Sequence, residues 1–583
     1  QMCIRDRYNE VSNVFTPTDS GYAKSRLMQL HPNIFVQRSP SHLKTGTFYW
    51  AHHEKMCVVD EMLGFMGGFD LCFGRWDTPT HALIDDAMMD NQPFDQDDTM
   101  LGPVRHGAEA HVWPGQDYAN ERVAEWQNLT QPEVDLIPRD KVPRMPWHDV
   151  GVQIVGQPAR DLCRHFCQRW NMLLRSKKHT RRMPFLLPPP DLTLYQMERY
   201  GIIGTCEAQI CRSGGPWSLS TSKKVEFSIQ NAYLKAIEQS DHFVYIENQF
   251  FVTSTTMENT EIENRIGLAL VERIVRAHNE GTKWRAVIVI PATPGFPMDY
   301  DHPESSSVRI ISALQYLSIS RGPNSIFGRL ERVGIHPHEY IGFFALRNWG
   351  RMRSGQLVTE QVYPHDKVMI VDDRLAIIGS ANINERSMRG DHDSELACIV
   401  RDEDRLVSKM AGEPYDVGRF PHTLRLRLMR EHLGVDVDAV DRALREGHPY
   451  EDPPPADAWP DERPRITANS IVDPVASYEV WTAAASYNTM VYRKVFQCMP
   501  DDTVTTWAAY KNAKVHSDKL ARSTYEAMHA DVFSAEALEA MVVQLQTLCG
   551  NLVELPLHFL ERDAAAGNFL FPMDHIQPII VYD

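Results

Sequence analysis

Residues 53–60 read HEKMCVVD, and residues 365–372 read HDKVMIVD. Each stretch has a histidine, a lysine two positions later, and an aspartate seven positions after the histidine. After each aspartate come six further residues and then two small residues, and an Asp or Asn follows after one more position: Gly67, Gly68 and Asp70 in the first copy, and Gly379, Ser380 and Asn382 in the second. Two full copies with identical internal spacing indicate a duplicated structural unit.

The histidine and lysine of each copy are predicted to share one face of a strand, because side chains two positions apart on a strand point the same way. This applies to His53 with Lys55 and to His365 with Lys367. One histidine and one lysine make half a site, whereas two halves give two imidazoles and two ammonium groups. We therefore expect the two halves to meet at one shared active site.

The motif aspartates stand at an odd offset from their histidines. Asp60 and Asp372 are therefore predicted to point away from the site and to have structural roles. His52 also stands at an odd offset, and we expect its side chain to point into the protein.

The small residues after each aspartate are predicted to lie against the substrate. Gly68 and Ser380 allow a ligand to approach the backbone closely. Asp70 and Asn382, two positions further on, are predicted to orient the lysines or to form hydrogen bonds with the ligand.

Each histidine needs a partner for its second ring nitrogen, and that partner is usually a carboxylate. Glu395 follows His365 by thirty residues, and Asp85 follows His53 by thirty-two residues. We predict that these two carboxylates orient the two histidines. The alternative for Asp85 is a solvated carboxylate on a loop.

Two imidazoles and two ammonium groups suit a phosphodiester substrate. The lysines can stabilise charge on the non-bridging oxygens. One neutral imidazole can attack phosphorus while the other, protonated, gives a proton to the leaving oxygen. Histidine has a pKa that permits both forms near neutral pH. We predict no metal or other cofactor for this chemistry, because the lysines supply the positive charge.

The regions outside the motifs predict an α/β fold. The stretches HFVYIENQFF (242–251) and WRAVIVIP (284–291) are typical of buried strands, and Glu261–His278 between them has the periodicity of an amphipathic helix. Strands that alternate with helices favour the α/β class. Together with the duplication, this predicts two similar sheet-plus-helix halves related by pseudo-twofold symmetry.

The chain divides into four predicted regions. Residues 1–200 form a first catalytic half, 201–446 a second catalytic half, 447–465 a proline-rich linker or surface loop, and 466–583 a C-terminal portion that packs on the catalytic core. Because Gln1 is not an initiator residue, we expect the chain to begin inside a longer protein.

The composition excludes some classes of function. The 583 residues carry a formal net charge of −17 at pH 7. This acidic balance argues against a general nucleic-acid binder, since phosphate contacts need a basic face. Ten cysteines without a dense framework favour a reducing compartment. No run approaches the ~20 apolar residues of a spanning helix, so we expect any action on membranes to occur from the surface.

At the level of these motifs, the sequence resembles the phospholipase D superfamily, whose signature is the paired motif. It is most similar to the eukaryotic phosphatidylcholine-hydrolysing phospholipases D of the animal and fungal type, in which lipid-binding PX and PH modules lie upstream. The stretches that carry the resemblance are WAHHEKMCVVDEMLGFMGGFDLCFGRWDT, MPWHDVGVQIVGQPARDLCRHFCQRWN, YIENQFF and HDKVMIVDDRLAIIGSANINERSMRGDHDSELA.

The resemblance implies a reaction. Phosphatidylcholine would be hydrolysed to phosphatidic acid and choline through a phosphohistidine, and a primary alcohol could replace water as the acceptor. The family assigns the nucleophile to the first motif, which implies His53, with His365 as the general acid and base. The near-symmetry of the two motifs leaves this assignment open.

The resemblance also implies a cytoplasmic, peripheral enzyme whose partner is a phospholipid membrane surface and not a nucleic acid. The basic stretch Arg175–Arg182 is either a solvated face or a site for an anionic lipid, such as a phosphoinositide activator.

Two other classes of function fit a paired motif. One is a related phosphodiesterase or phosphatidyltransferase, such as a nuclease or a cardiolipin synthase. The acidic charge and the flanking motifs disfavour the nuclease, and the absence of long apolar runs disfavours most bacterial-type synthases. The other is an inactive lipid-binding scaffold, against which the intact histidines and lysines of both copies argue.

Overall fold

The computed structural model describes residues 2–5, 20–39, 49–86, 111–123, 130–176, 182–219, 224–295, 299–454, 459–519, 527–528, 534–577 and 579. The strands are β1 (Met2–Arg5), β2 (Met56–Val59), β3 (Leu63–Gly67), β4 (Trp147–His148), β5 (Gly151–Val155), β6 (Cys206–Gly214), β7 (Glu226–Phe227), β8 (Phe243–Asn248), β9 (Thr256–Met257), β10 (Thr260–Glu261), β11 (Arg285–Val289), β12 (Ile341–Arg351), β13 (Leu357–Pro364), β14 (Lys367–Val371), β15 (Leu375–Gly379), β16 (Glu395–Asp402), β17 (Arg405–Met410), β18 (Glu413–Gly418), β19 (Ala527–Met528) and β20 (Leu552–Glu554). The α-helices are α1 (Ser20–Leu30), α2 (Gln157–Ser176), α3 (Leu194–Tyr200), α4 (Pro216–Leu219), α5 (Ser228–Gln239), α6 (Ile266–Glu280), α7 (Ser306–Ile319), α8 (Ile326–Glu331), α9 (Glu385–Met388), α10 (Arg419–His432), α11 (Val437–Glu446), α12 (Tyr478–Val495), α13 (Trp507–Lys519), α14 (Ala535–Leu545) and α15 (Glu561–Ala565).

The strands form two main sheets, and the class is α/β as predicted. The first sheet has the order β1-β2-β3-β5 and is antiparallel. The second has the order β19-β13-β12-β11-β8-β14-β15-β16-β6-β7, with β20 and β4 paired to β12 and β13. Helix α2 packs on the first sheet, and α5 and α10 pack on the second. The strands predicted around 242–251 and 284–291 are β8 and β11, and the helix predicted between them is α6.

The two halves contain the same hairpin, which the repeated motif encodes. β2 pairs with β3 in the first half, and β14 pairs with β15 in the second. In each turn, two consecutive acidic residues have positive φ, between 50° and 59°: Asp60 and Glu61 in the first, and Asp372 and Asp373 in the second. A type I′ turn needs positive φ at both central positions, and aspartate tolerates that conformation better than most residues.

The third strand extends this equivalence. Gly67, at the end of β3, pairs with Gly151 of β5, and Gly379, at the end of β15, pairs with Ala397 of β16. The unit β2–β3–β5 therefore matches β14–β15–β16 in register. The two units differ in what joins their second and third strands, because the segment 68–150 is much longer than 380–394.

The centre of the second sheet is β8, and all six of its residues are buried. It is parallel to β11 and antiparallel to β14, with Asn248 opposite Lys367. Apolar side chains from both faces of β8 belong to the main core. The same strand carries Glu247, which is completely buried, so charged groups lie inside the core next to the second motif.

The C-terminal region contributes directly to this sheet. β20 pairs with β12, and α12 packs against β20. Outside residues 455–458, which are not among the described residues, the segment 447–465 has no helix or strand. The division of the chain into regions 1–200, 201–446, 447–465 and 466–583 stays a prediction. Within the described ranges, none of the helices is both long enough and apolar enough to cross a membrane.

The two motif aspartates have different surroundings. The carboxylate of Asp372 is buried and accepts hydrogen bonds from the backbone N–H groups of Asp241, His242 and Phe243, at 2.6, 2.8 and 2.8 Å. These groups lie where β8 begins, at the opposite end of β14 from Lys367 and roughly 17 Å away along the strand. Asp60 occupies the same position in the first hairpin but is exposed.

This difference gives a matched pair of variants. Asp372→Ala removes the acceptor for three backbone donors and should lower the free energy of unfolding by about 3 kcal/mol. Asp60→Ala should change it by only about 0.5 kcal/mol. Both residues have positive φ, so the conformational cost of alanine is common to the two variants. Denaturant unfolding of both proteins measures the difference, and equal losses would contradict the structural role of Asp372.

Candidate active site

The two histidine–lysine pairs lie at corresponding positions in the two halves. His365 directly precedes β14, of which Lys367 is the first residue, whereas β2 begins at Met56, just after Lys55. The first pair therefore lies outside the strand that was predicted to carry it. The four residues are almost completely buried, with exposed fractions of 5% for His53, 3% for Lys55, 4% for His365 and 1% for Lys367.

Contacts between the halves bring the two pairs to one place. The backbone N–H of His53 donates to the carbonyl oxygen of Ser394 in the second half at 3.0 Å. A Cβ atom on Gly68 would lie 2.8 Å from the carbonyl oxygen of His365, so the first motif packs directly on the second. Burial and, to a smaller extent, the charge of Lys55 lower the pKa of Lys367 to about 8, so the two ammonium groups interact electrostatically.

His53 is held by a carboxylate of the other half. Its Nδ1 lies 2.8 Å from Oε1 of Glu395, the first residue of β16, which is completely buried. The hydroxyl groups of Ser380 and Ser387 donate to the same carboxylate at 2.6 and 2.7 Å. Burial raises the pKa of Glu395 to about 8. The contact with Nδ1 fixes the orientation of the His53 ring, with Nε2 directed away from Glu395.

His365 is held in the same way, again across the halves. Its Nδ1 lies 2.8 Å from Oδ2 of Asp149, which lies between β4 and β5. Burial raises the pKa of Asp149 to about 6. A Cβ atom on Gly68 would come within 2.3 Å of Oδ1 of Asp149. Only glycine at position 68 leaves room for this carboxylate beside His365.

The prediction that Asp85 orients His53 is wrong. Its carboxylate accepts a hydrogen bond from the backbone N–H of Trp113 at 2.9 Å and contacts Arg139 at 3.4 Å and His111 at 3.3 Å. Asp85 therefore holds together the long segment that joins β3 to β5. The similar sequence distances of Asp85 and Glu395 from their histidines were misleading, because that segment has no equivalent in the second half.

Asp149 is the structural counterpart of Glu395 and was missed from the sequence. Each lies two residues before the residue that pairs with the last glycine of its hairpin. The stretches DVGVQIV and ELACIV contain the sequence feature that could have identified Asp149. In each, an acidic residue directly precedes an apolar, strand-forming run. Glu395 is an orienting residue, as predicted, but its predicted partner His365 is wrong, because its carboxyl group contacts His53 of the other half.

The lysines are fixed by short polar contacts. Lys55 Nζ donates to the carbonyl oxygen of His53 at 2.7 Å and lies 3.4 Å from Oδ1 of Asp70. Lys367 Nζ donates to the carbonyl oxygen of His365 and, at 3.2 Å, to Oε1 of Gln249. Each ammonium group is therefore held beside its own histidine, and its contacts with the described residues leave part of its hydrogen-bonding capacity for a ligand.

The remaining predicted positions differ in their surroundings. Ser380 faces Glu395, as described above, and its hydroxyl group holds that carboxylate. Asn382 is 6% exposed, and its Oδ1 atom has no hydrogen-bond partner among the described residues. The Asn382 side chain thus retains an acceptor inside the site region. His52 turns away from the site, where its Nδ1 contacts the hydroxyl group of Ser394 at 2.8 Å.

Comparisons with known proteins agree with this geometry. A family model described as Phospholipase D matches residues 27–111 and 118–444. Phospholipase D1 of Schizosaccharomyces pombe is 52% identical over 427 residues, which cover 73% of this chain and 30% of that protein. Phospholipase D1 of Saccharomyces cerevisiae is 49% identical over 441 residues, covering 74% and 25%. Phospholipase D1 of Homo sapiens is 32% identical over 675 residues, covering 94% and 58%.

The chain spans 30% and 25% of the length of the two fungal relatives. Among solved structures, it is similar to NucT from Helicobacter pylori, with 15% identity, a TM-score of 0.20, and coverage of 34% of this chain and 87% of that one. At that TM-score the likeness supports no conclusion about this chain. The family model and the identities to the three phospholipases are sufficient, and the chain belongs to the phospholipase D family.

Proposed function

We propose that this chain is the catalytic part of a phospholipase D that hydrolyses phosphatidylcholine to phosphatidic acid and choline and transfers the phosphatidyl group to primary alcohols. One observation carries the proposal. Two buried histidine–lysine pairs, one from each half, lie together, and the Nδ1 atom of each histidine is 2.8 Å from a carboxylate of the opposite half. This arrangement supports two imidazoles with different roles acting on one phosphodiester.

In the first step, Nε2 of His53 attacks phosphorus, and the bond from phosphorus to the choline oxygen breaks. His365 gives its Nε2 proton to that oxygen, so choline leaves as an alcohol and the phosphatidyl group is held on His53. In the second step, His365 takes a proton from water or a primary alcohol, whose oxygen attacks phosphorus. The phosphorus–nitrogen bond breaks, and both histidines return to their starting states.

The two lysines are the proposed source of positive charge at the phosphate. Lys55 and Lys367 can bind the non-bridging oxygens and stabilise the charge that develops there in the transition state. Inside a site from which water is largely excluded, such fixed charges act more strongly than they do in water. The proposed chemistry therefore requires no metal ion or other cofactor.

The carboxylates support the assignment of His53 as the nucleophile. Burial raises the pKa of Glu395 to about 8 and that of Asp149 to about 6. At neutral pH Glu395 is therefore largely uncharged and stabilises a protonated His53 less than Asp149 stabilises a protonated His365, which favours a neutral imidazole at position 53, as a nucleophile requires. Asp149 remains ionised at neutral pH and stabilises a protonated His365, as a general acid requires.

The first test measures the transfer reaction. The protein is incubated with phosphatidylcholine vesicles and 1-butanol, and phosphatidylbutanol is quantified. We expect His53→Ala and His365→Ala each to reduce its formation on the order of 10⁴-fold or more, because each variant removes a reacting group. The exposed-turn variant Asp60→Ala serves as a control and should retain activity. Undiminished turnover in either histidine variant would refute a shared site, and loss of activity with a chelator would refute the metal-free chemistry.

A second test separates the roles of the two histidines. Phosphatidyl-p-nitrophenol, in which nitrophenol replaces choline, has a leaving group that needs no proton from an acid. With this substrate, His365→Ala should release one nitrophenolate per active site in a burst and leave the phosphoryl group on His53, where mass spectrometry can locate it. His53→Ala should give no burst. A burst from His53→Ala with label on His365 would reverse the assignment.

The pH dependence should also report the buried groups. Activity should fall below pH 6 as Asp149 becomes protonated and above pH 8 as Lys367 loses its charge, since their pKa values are about 6 and about 8. In the residual activity of Asp149→Asn the acid limb should disappear, whereas in Lys367→Arg the alkaline limb should move upward. Asp149→Asn is the control for the alkaline limb, and Lys367→Arg is the control for the acid limb. If neither variant changed the pH profile, these assignments would be contradicted.

We further propose that the protein acts at the membrane from its surface. Residues 177–181 of the predicted anionic-lipid site Arg175–Arg182 lie outside the described residues, so this site and its phosphoinositide ligand stay predictions. The segment that follows is apolar and exposed. Its exposed fractions are Phe185 59%, Leu187 86%, Leu194 62%, Tyr195 68%, Tyr200 58% and Ile203 55%.

The exposed segment is firmly attached to α2. Arg160 and Arg164 donate to the carbonyl oxygens of Pro190 and Pro189 at 2.7 and 3.0 Å, and Trp170 donates to that of Pro184 at 2.8 Å. These contacts present the apolar side chains on a fixed backbone with arginines next to them. Apolar side chains flanked by cations suit an anionic phospholipid surface.

The double variant Leu187→Ser, Tyr195→Ser tests this surface. We expect its binding to anionic phospholipid vesicles to weaken roughly tenfold or more, because two exposed apolar side chains no longer enter the bilayer. Turnover of a short-chain phosphatidylcholine below its micelle concentration should not change. Val407→Ser, at another highly exposed apolar residue on β17, is the control. Equal vesicle binding by both variants would place the membrane contact elsewhere.

A further inference from the structure

A second group of titratable side chains lies in the core next to the site. It consists of three histidines and two glutamates, none more than 8% exposed, which we call the histidine–glutamate cluster: His81, His148, Glu247, Glu431 and His432. Its members come from both halves of the chain. The chemistry proposed above does not use any of them.

His148 is the centre of this cluster. Its Nε2 lies 2.8 Å from Oε2 of Glu247, and its Nδ1 lies 3.3 Å from Oε1 of Glu431. A neutral imidazole has one N–H group and one lone pair, so it cannot suit two carboxylates at once. Burial lowers the pKa of His148, but the two glutamates outweigh burial and leave this pKa well above its ordinary value. The ring is therefore held as an imidazolium.

Carboxyl groups and imidazole rings alternate around His148. His81 lies between Asp77 and the same oxygen of Glu431, at 2.9 and 3.0 Å, and its pKa is also raised, since these carboxylates outweigh burial. His432 contacts Oε1 of Glu247 at 3.0 Å. Asp366 also faces His148, but first burial and then Glu247 raise its pKa well above the ordinary value. Asp366 therefore favours its uncharged form more than an ordinary aspartate does.

The backbone of His148 is part of the active site. Its carbonyl oxygen accepts a hydrogen bond from the N–H group of His365 at 2.8 Å. In β4, His148 pairs with Pro364 of β13, the residue before His365. The next residue after His148 is Asp149, whose carboxylate holds Nδ1 of His365. The His148 ring is therefore attached to a two-residue segment that contacts His365 through both its backbone and the Asp149 carboxylate.

We propose that His148 is a positioning residue for the reaction, and that its buried imidazolium, held between Glu247 and Glu431, fixes the backbone that directs Asp149 onto His365. The inference rests on the proposed function, because His365 is the acid and base of that reaction. Removal of the charge at position 148 leaves two glutamates without their cation, which loosens the segment. Restoration of a cation at the same place should hold it again.

A metal ion is the chemical alternative for the same atoms. The ring nitrogens of His81 and His148 with an oxygen of Glu431, and those of His148 and His432 with an oxygen of Glu247, lie close enough to ligate one. The metal site and the positioning role require different side chains at position 148. A metal site needs a neutral imidazole that gives a lone pair, whereas the positioning role needs a cation and is compatible with arginine.

The kinetic test compares His148→Gln with His148→Arg in the hydrolysis of a monomeric short-chain phosphatidylcholine, whose choline oxygen needs the proton from His365. We expect His148→Gln to lower kcat roughly 10- to 100-fold with little change in KM, because it acts through His365 and not through substrate binding. His148→Arg should recover most of that loss. A His148→Gln protein with the kcat of the wild type would overturn the proposal. The proposal would also be overturned if both variants lost kcat equally and elemental analysis found one zinc ion per wild-type chain, since that result would identify His148 as a metal ligand.

A matched control separates positioning from simple destabilisation. His422 is another buried histidine, 2.7 Å from the buried carboxylate of Asp373, at the far end of the hairpin from the site. His422→Gln removes a similar contact and should lower thermal stability without lowering the kcat of the folded protein. An equal loss of kcat in His422→Gln would mean that the effect at His148 is merely structural, which overturns the proposal.

Spectroscopy of the wild-type chain keeps the inference testable where a variant does not fold. In the protein labelled with ¹⁵N-histidine, both ring nitrogens of His148 should carry protons from pH 6 to pH 8, the range set by the pKa values of Asp149 and Lys367. Titration of His148 within that range would overturn the proposal. The low-field Nδ1–H signal of His365 should be present in His148→Arg and broadened or lost in His148→Gln. This signal is measured without substrate. It therefore tests the positioning role of His148 even if the protein has no phospholipase activity.

Discussion

Two crossed contacts between histidines and carboxylates hold this molecule's site together. Glu395 of the second half binds His53 of the first, and Asp149 of the first half binds His365 of the second, each at 2.8 Å. Neither half could fix its own histidine in one orientation, because the necessary acceptor lies on the other half. This explains why the motif occurs twice in one chain and why the halves interlock where His53 donates to Ser394.

Burial is the second constraint, and it explains the shifted pKa values. Ionised side chains removed from water cost several kcal/mol each unless they are compensated nearby, on the order of magnitude found for buried ion pairs. Here the same burial lowers the pKa of Lys367 to about 8 and raises that of Glu395 to about 8. An incoming phosphodiester brings negative charge to two neighbouring buried ammonium groups. The binding of the substrate therefore relieves an electrostatic cost that the folded protein already bears.

The sequence predicted the parts of this arrangement that depend on local periodicity. The repeated spacing identified the duplicated unit and the two histidine–lysine pairs, because the spacing of residues within one short stretch is a local property. Prediction from the sequence failed where a contact depends on the third strand of each unit. Asp149 and Glu395 occupy the same register, but a long inserted segment separates Asp149 from its hairpin, and counting residues from His53 led to Asp85 instead. It also could not show that Ser380 would face a carboxylate, which depends on the packing of β15 on β16.

The two halves share a framework but differ around it, and the difference has chemical consequences. The residue between histidine and lysine is Glu54 in the first motif, where it contacts His165 and Ser394, and Asp366 in the second, where it faces the histidine–glutamate cluster. Two motifs in identical surroundings would hold their histidines in the same protonation state. A nucleophile and a general acid must differ in protonation at the same pH. The unequal carboxylates and the unequal surroundings provide that difference, so the loss of exact symmetry after duplication is itself a requirement of the proposed reaction.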